Sequence, residues 1–62
     1  MKEFFFSQTF ICTGYEQLSK RIEEYVNQQK KEGYIFKNYN LINTLKCDES
    51  WQKYQIIFTF ER

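Results

Sequence analysis

The stretch from residue 54 to residue 60 reads Tyr-Gln-Ile-Ile-Phe-Thr-Phe, and it decides the fold. Every second residue is large and apolar, while Gln55 and Thr59 lie between them. Successive side chains of a strand point to opposite faces, so this alternation predicts a strand with one buried face. The pattern extends from Trp51 to Glu61, and it is the clearest element of the chain.

The segment over residues 3–12 is also predicted to be a strand, because it is rich in aromatic and β-branched residues. Both of its faces are apolar, which is typical of a strand that is covered on both sides. One face carries Phe4, Phe6 and Phe10, and the other carries Phe5 and Ile11.

A helix is predicted between this strand and the next. Thr13 and Glu16 have the spacing of a capping box, in which each residue satisfies a free amide of the first turn. Gly33 is suited to the left-handed conformation that ends a helix, and Lys30 and Lys31 complement the negative end of the helix dipole. One apolar stripe predicts a single buried face, formed by Tyr15, Leu18, Ile22, Tyr25 and Val26.

A second strand is predicted over residues 34–45, where the period changes to two. The alternation fails over residues 38–40, which favours a bulge, an edge strand or both. A polar turn over residues 46–50 joins it to the last strand as a hairpin. A right-handed crossover makes the first two strands parallel, and the most apolar strand belongs in the middle. We therefore predict an α+β fold, a single βαββ domain over residues 1–62. Its three-stranded mixed sheet has the order 1-3-2, with one helix packed on one face.

The chain is short for a stable monomer. A domain of about 60 residues buries only about 60% of the surface that its unfolded chain exposes, so disulfides, a metal or another subunit usually supplement its core. Cys12 and Cys47 are too few for a disulfide framework, and no metal-ligand spacing occurs. We therefore expect a homo-oligomer, with a dimer favoured, and neither a cofactor nor a metal.

Cysteine usage and hydropathy predict a cytoplasmic location. Two isolated thiols are typical of a reducing compartment. The predicted topology places the third strand between Cys12 and Cys47, about 10 Å apart, which is too far for a disulfide within the chain. No apolar stretch has the length of a signal peptide or a membrane span, so no membrane association is expected.

The residue types argue against catalysis. The chain has no His and no glycine-rich phosphate loop, and the adjacent carboxylates at residues 23–24 and 48–49 do not converge on one site. Lys46 would lower the pKa of the Cys47 thiol only slightly, and no base accompanies that thiol. We predict that the protein is not an enzyme and has no catalytic residue.

The predicted fold leaves one face of the sheet without a helix. Exposed apolar patches mark interaction sites, so this face is expected to carry self-association or to bind another protein, whose identity is unknown. The predicted partner or self-association residues are Phe5, Ile11, Tyr34, Tyr39, Trp51 and Ile57.

The alternative is binding of single-stranded nucleic acid or a nucleotide. The net charge of +1 gives no general attraction to nucleic acid, and the aromatic residues of the last strand are predicted to face the helix. Nucleic acid is therefore the less favoured partner. Its predicted contacts are Lys37, Lys46, Lys53 and Trp51, with Tyr34 as a further stacking surface.

Two segments carry a resemblance to known proteins. Residues 31–34 read Lys-Glu-Gly-Tyr after the helix, and residues 58–62 read Phe-Thr-Phe-Glu-Arg at the end of the last strand. The chain resembles a family of small uncharacterised bacterial βαββ domains that have a Lys/Glu-Gly-aromatic turn and a closing aromatic-basic strand. It is more weakly similar to a small sporulation-associated family from Gram-positive bacteria. Neither resemblance implies a catalytic residue.

Composition adds a hint about the source. The chain is rich in Lys, Asn, Ile, Tyr and Phe and has no Ala or Pro, which resembles products of AT-rich Gram-positive genomes or their phages. Together these features predict a small protein-binding or regulatory module of bacterial or phage origin.

Overall fold

The computed structural model describes residues 2–46 and 50–62. They form β1 (Glu3–Cys12), α1 (Tyr15–Lys31), β2 (Ile35–Lys46) and β3 (Gln52–Glu61). The strands have the order β1-β3-β2, and β3 is antiparallel to both neighbours. β1 and β2 therefore run parallel to each other on either side of β3, and the predicted βαββ fold with the strand order 1-3-2 is confirmed. The sheet is antiparallel and not mixed as predicted, because β1 and β2 do not pair with each other and both hydrogen-bonded pairs are antiparallel. Cys47, and with it most of the predicted turn, lies outside the described residues.

The core is built on β3. Its helix-facing side chains are at most 1% exposed, because a central strand has neighbours on both flanks as well as a helix above it. Cys12 and Leu18 complete the buried cluster. The ring of Tyr25 on the helix lies 4.7 Å from that of Phe58, an aromatic contact that fixes the helix on the sheet. The predicted alternation is confirmed in the buried residues Tyr54, Ile56, Phe58 and Phe60.

The helix begins differently from the prediction. Gly14 is its N-cap and has no side chain to cap the first turn. Because the first helical residue is Tyr15, Gln17 occupies the third helical position. The Gln17 Oε1 accepts from the Thr13 backbone amide at 2.8 Å and from the Thr13 hydroxyl at 3.3 Å. The predicted capping box of Thr13 with Glu16 is therefore wrong. Because the helix starts at Tyr15, the residue that reaches back is Gln17.

The first helical residue also departs from the predicted stripe. Tyr15 is 70% exposed, although its ring lies 5.9 Å from that of Tyr54. The last residue pair of the sheet is Cys12 with Gln52, and the chain leaves the sheet there to enter the helix. The first turn therefore lies at the end of the sheet, where little apolar surface remains to cover Tyr15.

The helix ends as predicted at Gly33, which has a φ of 95°. The Gly33 amide donates to the carbonyl of Lys30 at 3.0 Å, and the Tyr34 amide donates to that of Gln29 at 3.1 Å. These two bonds form a Schellman motif, which requires the left-handed conformation that glycine adopts easily. The motif turns the chain sharply into β2.

The connections set the path of the helix over the sheet. It follows the end of β1 and precedes the start of β2, and these two points lie at opposite ends of the sheet because the strands are parallel. The helix therefore crosses the sheet diagonally. It covers Phe36 at the start of β2 but leaves Tyr39 46% exposed and Leu41 45% exposed.

The two edge strands differ in regularity. β1 pairs with β3 through ten consecutive residues without a register shift. β2 has register shifts between Phe36 and Asn38 and between Leu41 and Asn43. The predicted edge position of β2 is confirmed, whereas residues 38–40, where a bulge was also considered, pair with β3 without a shift and lie between the two irregularities.

Candidate interaction surfaces

Exposed apolar side chains outnumber buried ones. Among the described residues, nine large apolar side chains are exposed, whereas only six residues form the buried core. Five of the nine lie on β2. The exposed set consists of Phe5, Ile11, Tyr15, Ile35, Tyr39, Leu41, Ile42, Leu45 and Trp51.

The side of the sheet away from α1 is here called the open face. Phe5 and Ile11 lie on it at opposite ends of β1, 66% and 50% exposed. They are separated by about 20 Å at the usual rise per strand residue. Ser7 and Thr9 lie between them, so the open face is not the continuous apolar patch that was expected.

The centre of the open face is mainly polar. Ile57 is half-buried there, between Ser7 on β1 and Asn40 on β2. One residue pair further along, the Asn43 Nδ2 donates to the Gln55 Oε1 at 3.4 Å. Trp51 precedes β3 and is 42% exposed. The predicted interaction residues on this face are thus distributed over its two ends and its centre.

Tyr34 lies on the helix side, within an aromatic cluster. Its ring meets those of Phe4 and Phe6 edge-on, with centroids 5.5 and 5.3 Å apart. The guanidinium of Arg62 lies 5.1 Å from the Tyr34 ring, in a cation-π contact. These contacts leave Tyr34 half-buried, and it covers the corner of the sheet that the diagonal helix does not reach.

Tyr39 borders a groove between α1 and β2. Its ring stacks near that of Phe36, with centroids 6.4 Å apart, and lies 6.0 Å from that of Phe58. The groove has a volume of about 240 Å³. Sequence reasoning missed it, because its opening depends on the diagonal path of the helix, which no local pattern encodes. Its lining consists of Ser19, Ile22, Glu23, Val26, Asn27, Phe36 and Tyr39.

The structure does not bring the three predicted nucleic-acid lysines together. The Lys37 Nζ lies 3.0 Å from the Glu61 Oε1, and this bond together with the carboxylate charge raises the pKa of Lys37. Lys46 and Lys53 lie at the other end of the sheet, about 20–25 Å away at the usual rise per residue. Trp51 shares their end.

Two tyrosine hydroxyls are perturbed by their surroundings. Burial raises the pKa of Tyr25, although a side-chain hydrogen bond with Gln8 lowers it in part. Burial also raises the pKa of Tyr54, whose hydroxyl donates to the Gln52 Oε1 at 2.6 Å. Both groups therefore stay protonated near neutral pH, where they act as hydrogen-bonding parts of the core.

Metal-ligand clusters and membrane-spanning helices are both absent from residues 2–46 and 50–62. Within them, no three or more His, Cys, Asp or Glu side chains are grouped to hold a metal ion. Over the same ranges, no helix is long and apolar enough to cross a membrane.

Comparisons of the chain with protein-family models, with curated proteins and with solved structures find no match. The resemblance carried by residues 31–34 and 58–62 therefore stays a prediction.

Proposed function

We propose that this chain is a small non-enzymatic protein-binding module that works as a homo-oligomer, with the dimer as its favoured state. The observation that supports this is the excess of exposed over buried apolar side chains among the described residues, nine against six. Five of the nine belong to β2, and exposed apolar side chains that cluster mark interaction sites. A small core also gains stability when another subunit covers part of its apolar surface.

The exposed side chains fall into two main groups, which suit two interactions. Phe5 and Ile11 lie on β1, whereas Ile35, Leu41 and Leu45 belong to the larger group on β2. Self-association through one edge of the sheet leaves the other edge for a different protein. In this proposal the module regulates that protein in the cytoplasm of a bacterium or in a phage-infected cell. The resemblance and the sparse cysteines support this setting.

Binding of single-stranded nucleic acid receives less support from the structure. Its lysines lie at two ends of the sheet, and Lys37 is already paired with Glu61. A nucleic-acid function predicts that oligonucleotides quench the fluorescence of Trp51 and that salt reverses the quenching. The protein-binding function predicts no such quenching.

Sedimentation equilibrium over a dilution series tests self-association. We expect a mass above that of the 7.7 kDa monomer, falling toward it on dilution. A monomer at every concentration contradicts the homo-oligomer.

Affinity capture from the native host tests the protein partner, with the double substitution Leu41→Ser and Ile42→Ser as a matched variant. A partner that is retained by the wild type, lost by the variant and bound again from purified components supports the module. If no protein meets these three conditions, the heterologous interaction is contradicted.

A further inference from the structure

β1 is an edge strand without the usual protection. Natural proteins blunt sheet edges with bulges, lysines or prolines, because free backbone groups pair readily with another strand. β2 has two register shifts and carries Lys37 at the first of them. β1 is regular over Glu3–Cys12, has neither lysine nor proline, and carries its only charge at Glu3. The two edges of one sheet therefore differ, and β1 is the edge that is ready to pair.

The polarity of β1 is symmetric about Gln8. Three apolar residues precede a central polar triplet, and three more follow it: residues 4–12 read Phe-Phe-Phe-Ser-Gln-Thr-Phe-Ile-Cys. Consider two copies of this strand that run antiparallel and are related by a two-fold axis at Gln8. Apolar residues of one copy then lie opposite apolar residues of the other, and polar residues lie opposite polar residues. Cross-strand neighbours on one face are the unit of sheet stabilisation, so this match is energetically relevant.

The helix face of β1 is also incompletely covered. Phe6 and Phe10 are only half-buried, although Phe58 on the adjacent strand is 0% exposed. The difference follows from position, because β3 has a strand on each side and β1 has one on a single side. A further strand beside β1 gives these phenylalanines the flank that they lack.

We propose that β1 pairs antiparallel with β1 of a second copy, about a two-fold axis at Gln8. This inference rests on the self-association proposed above and specifies its surface. Phe5 then lies opposite Ile11 of the second copy, and Phe6 opposite Phe10 of the second copy. Directly opposed residues of antiparallel strands point to the same face. The product is a continuous six-stranded sheet with both helices on one face.

Neighbouring symmetric registers lack this match. An axis at Ser7 places Phe5 opposite Thr9 and Glu3 opposite Ile11. An axis at Thr9 places Gln8 opposite Phe10. In the register centred on Gln8, Phe5 and Ile11, which are about 20 Å apart within one chain, become directly opposed across the interface. Two isolated exposed side chains thereby become two apolar pairs.

The test introduces charges at Phe5 and Ile11, which face each other across the proposed interface. One variant carries like charges at the two positions, and another carries opposite charges. The variant with Phe5→Lys and Ile11→Lys places like charges in opposition twice, so its dimer dissociation constant should rise more than about tenfold. The variant with Phe5→Lys and Ile11→Glu places opposite charges there and should dimerise like the wild type. The double-lysine variant should also form a mixed dimer with a chain carrying Phe5→Glu and Ile11→Glu.

The matched control changes β2 instead, with Ile35→Lys and Leu45→Lys. Their exposures of 51% and 48% are close to the 50% of Ile11. Sedimentation equilibrium gives the mass of each variant and of the mixture, and circular dichroism reports whether each chain is folded. We expect the control to dimerise like the wild type.

The outcomes separate this inference from the proposed function. If the wild type and the double-lysine variant are both dimers, β1 is not the interface, although self-association stands. If the Phe5→Lys and Ile11→Glu variant is folded and monomeric, the register at Gln8 is wrong. A monomeric wild type removes the self-association itself. If a double variant does not fold alone, the mixture of the double-lysine and double-glutamate chains tests the interface. A folded mixed dimer supports pairing through β1, because it requires the opposed pairs, and its absence contradicts that pairing.

Discussion

The ammonium group of Lys37 lies 3.0 Å from the carboxylate of Glu61, and this contact joins the first bulge of β2 to the end of β3. The Lys37 side chain is 46% exposed and that of Glu61 is 18% exposed, so the ion pair lies at the surface with its carboxylate half-buried. Exposed ion pairs contribute little to folding free energy. The position of Lys37 indicates its role better than the folding free energy of the ion pair does. A lysine at a bulge is a common means of keeping an edge strand from pairing.

Replacing Lys37 should therefore affect association more than folding. We expect Lys37→Val to leave the thermal midpoint almost unchanged and to promote concentration-dependent association through β2. Light scattering during a concentration series measures this, with Lys20→Val on the exposed helix surface as the control. Equal scattering by both variants and the wild type contradicts the protective role of Lys37.

Substitutions at the two glycines of the chain should change the free energy of unfolding in opposite directions. Gly33 has a φ of 95°, a backbone conformation that is strained for any residue with a side chain. An added Cβ would not clash, because its nearest neighbour is the Arg62 side chain at 3.9 Å. We expect Gly33→Ala to lower the free energy of unfolding by about 1 kcal/mol. Gly14 is extended and has open space around it. There Gly14→Ser supplies an N-cap oxygen and should stabilise by a few tenths of a kcal/mol, about the usual gain.

Urea denaturation of both variants measures these differences. If the two substitutions shift the urea midpoint in the same direction, the helix does not start and end as the structure shows.

Adjacent isoleucines on β3 test which face is covered. Ile56 is 0% exposed under the helix, whereas Ile57 is half-buried on the open face. Ile56→Val should cost about 1 kcal/mol, the usual cost of removing one buried methylene group. Ile57→Val should cost less than about 0.5 kcal/mol, because edge pairing through β1 leaves the open face in solvent. Equal losses in urea denaturation show that a partner covers the open face.

Stability should fall at alkaline pH. Burial raises the pKa of Tyr25 and Tyr54 in the folded state, so the unfolded chain loses these protons first as the pH rises. The stabilisation is complete below about pH 10, the ordinary tyrosine value, and is lost as the pH increases above it. The raised pKa of Lys37 acts in the same direction, since its contact with Glu61 is lost when the ammonium deprotonates.

Substituting one buried hydroxyl isolates its share of this loss. We expect Tyr54→Phe to make the unfolding free energy fall less steeply above about pH 10, while the hydrogen bond to Gln52 is lost at every pH. Tyr39→Phe, at a 46% exposed ring, serves as the control and should follow the wild type. Denaturant titrations at a series of alkaline pH values give both slopes. A steeper fall for Tyr54→Phe contradicts the assignment.

The sequence predicted the elements that local patterns encode. Alternation over residues 54–60 identified the central strand, and Gly33 marked the end of the helix, because both signals depend on neighbouring residues alone. The capping partner was wrong because shifting the helix start by one residue changes which side chain reaches back. Boundaries of this kind depend on how the whole turn packs.

The interaction surfaces were less predictable for the same reason. Tyr34 and Tyr39 were both expected to meet a partner, and the structure places them on the helix side, where the diagonal path of α1 decides their exposure. The polar centre of the open face follows from the register of β1 and β2 against β3. Such register is a property of the assembled sheet, and no single segment specifies it.

The central position of β3 has a consequence during synthesis. β1 and β2 do not contact each other, and each hydrogen-bonds only to β3, which follows both in the chain. A ribosome therefore releases β1 and β2 before either has a strand to join, and the sheet closes only once residues 52–61 have emerged. During that interval the apolar segment over residues 4–12 is open to other nascent chains. The sheet of this domain thus forms only after all three of its strands have been synthesised.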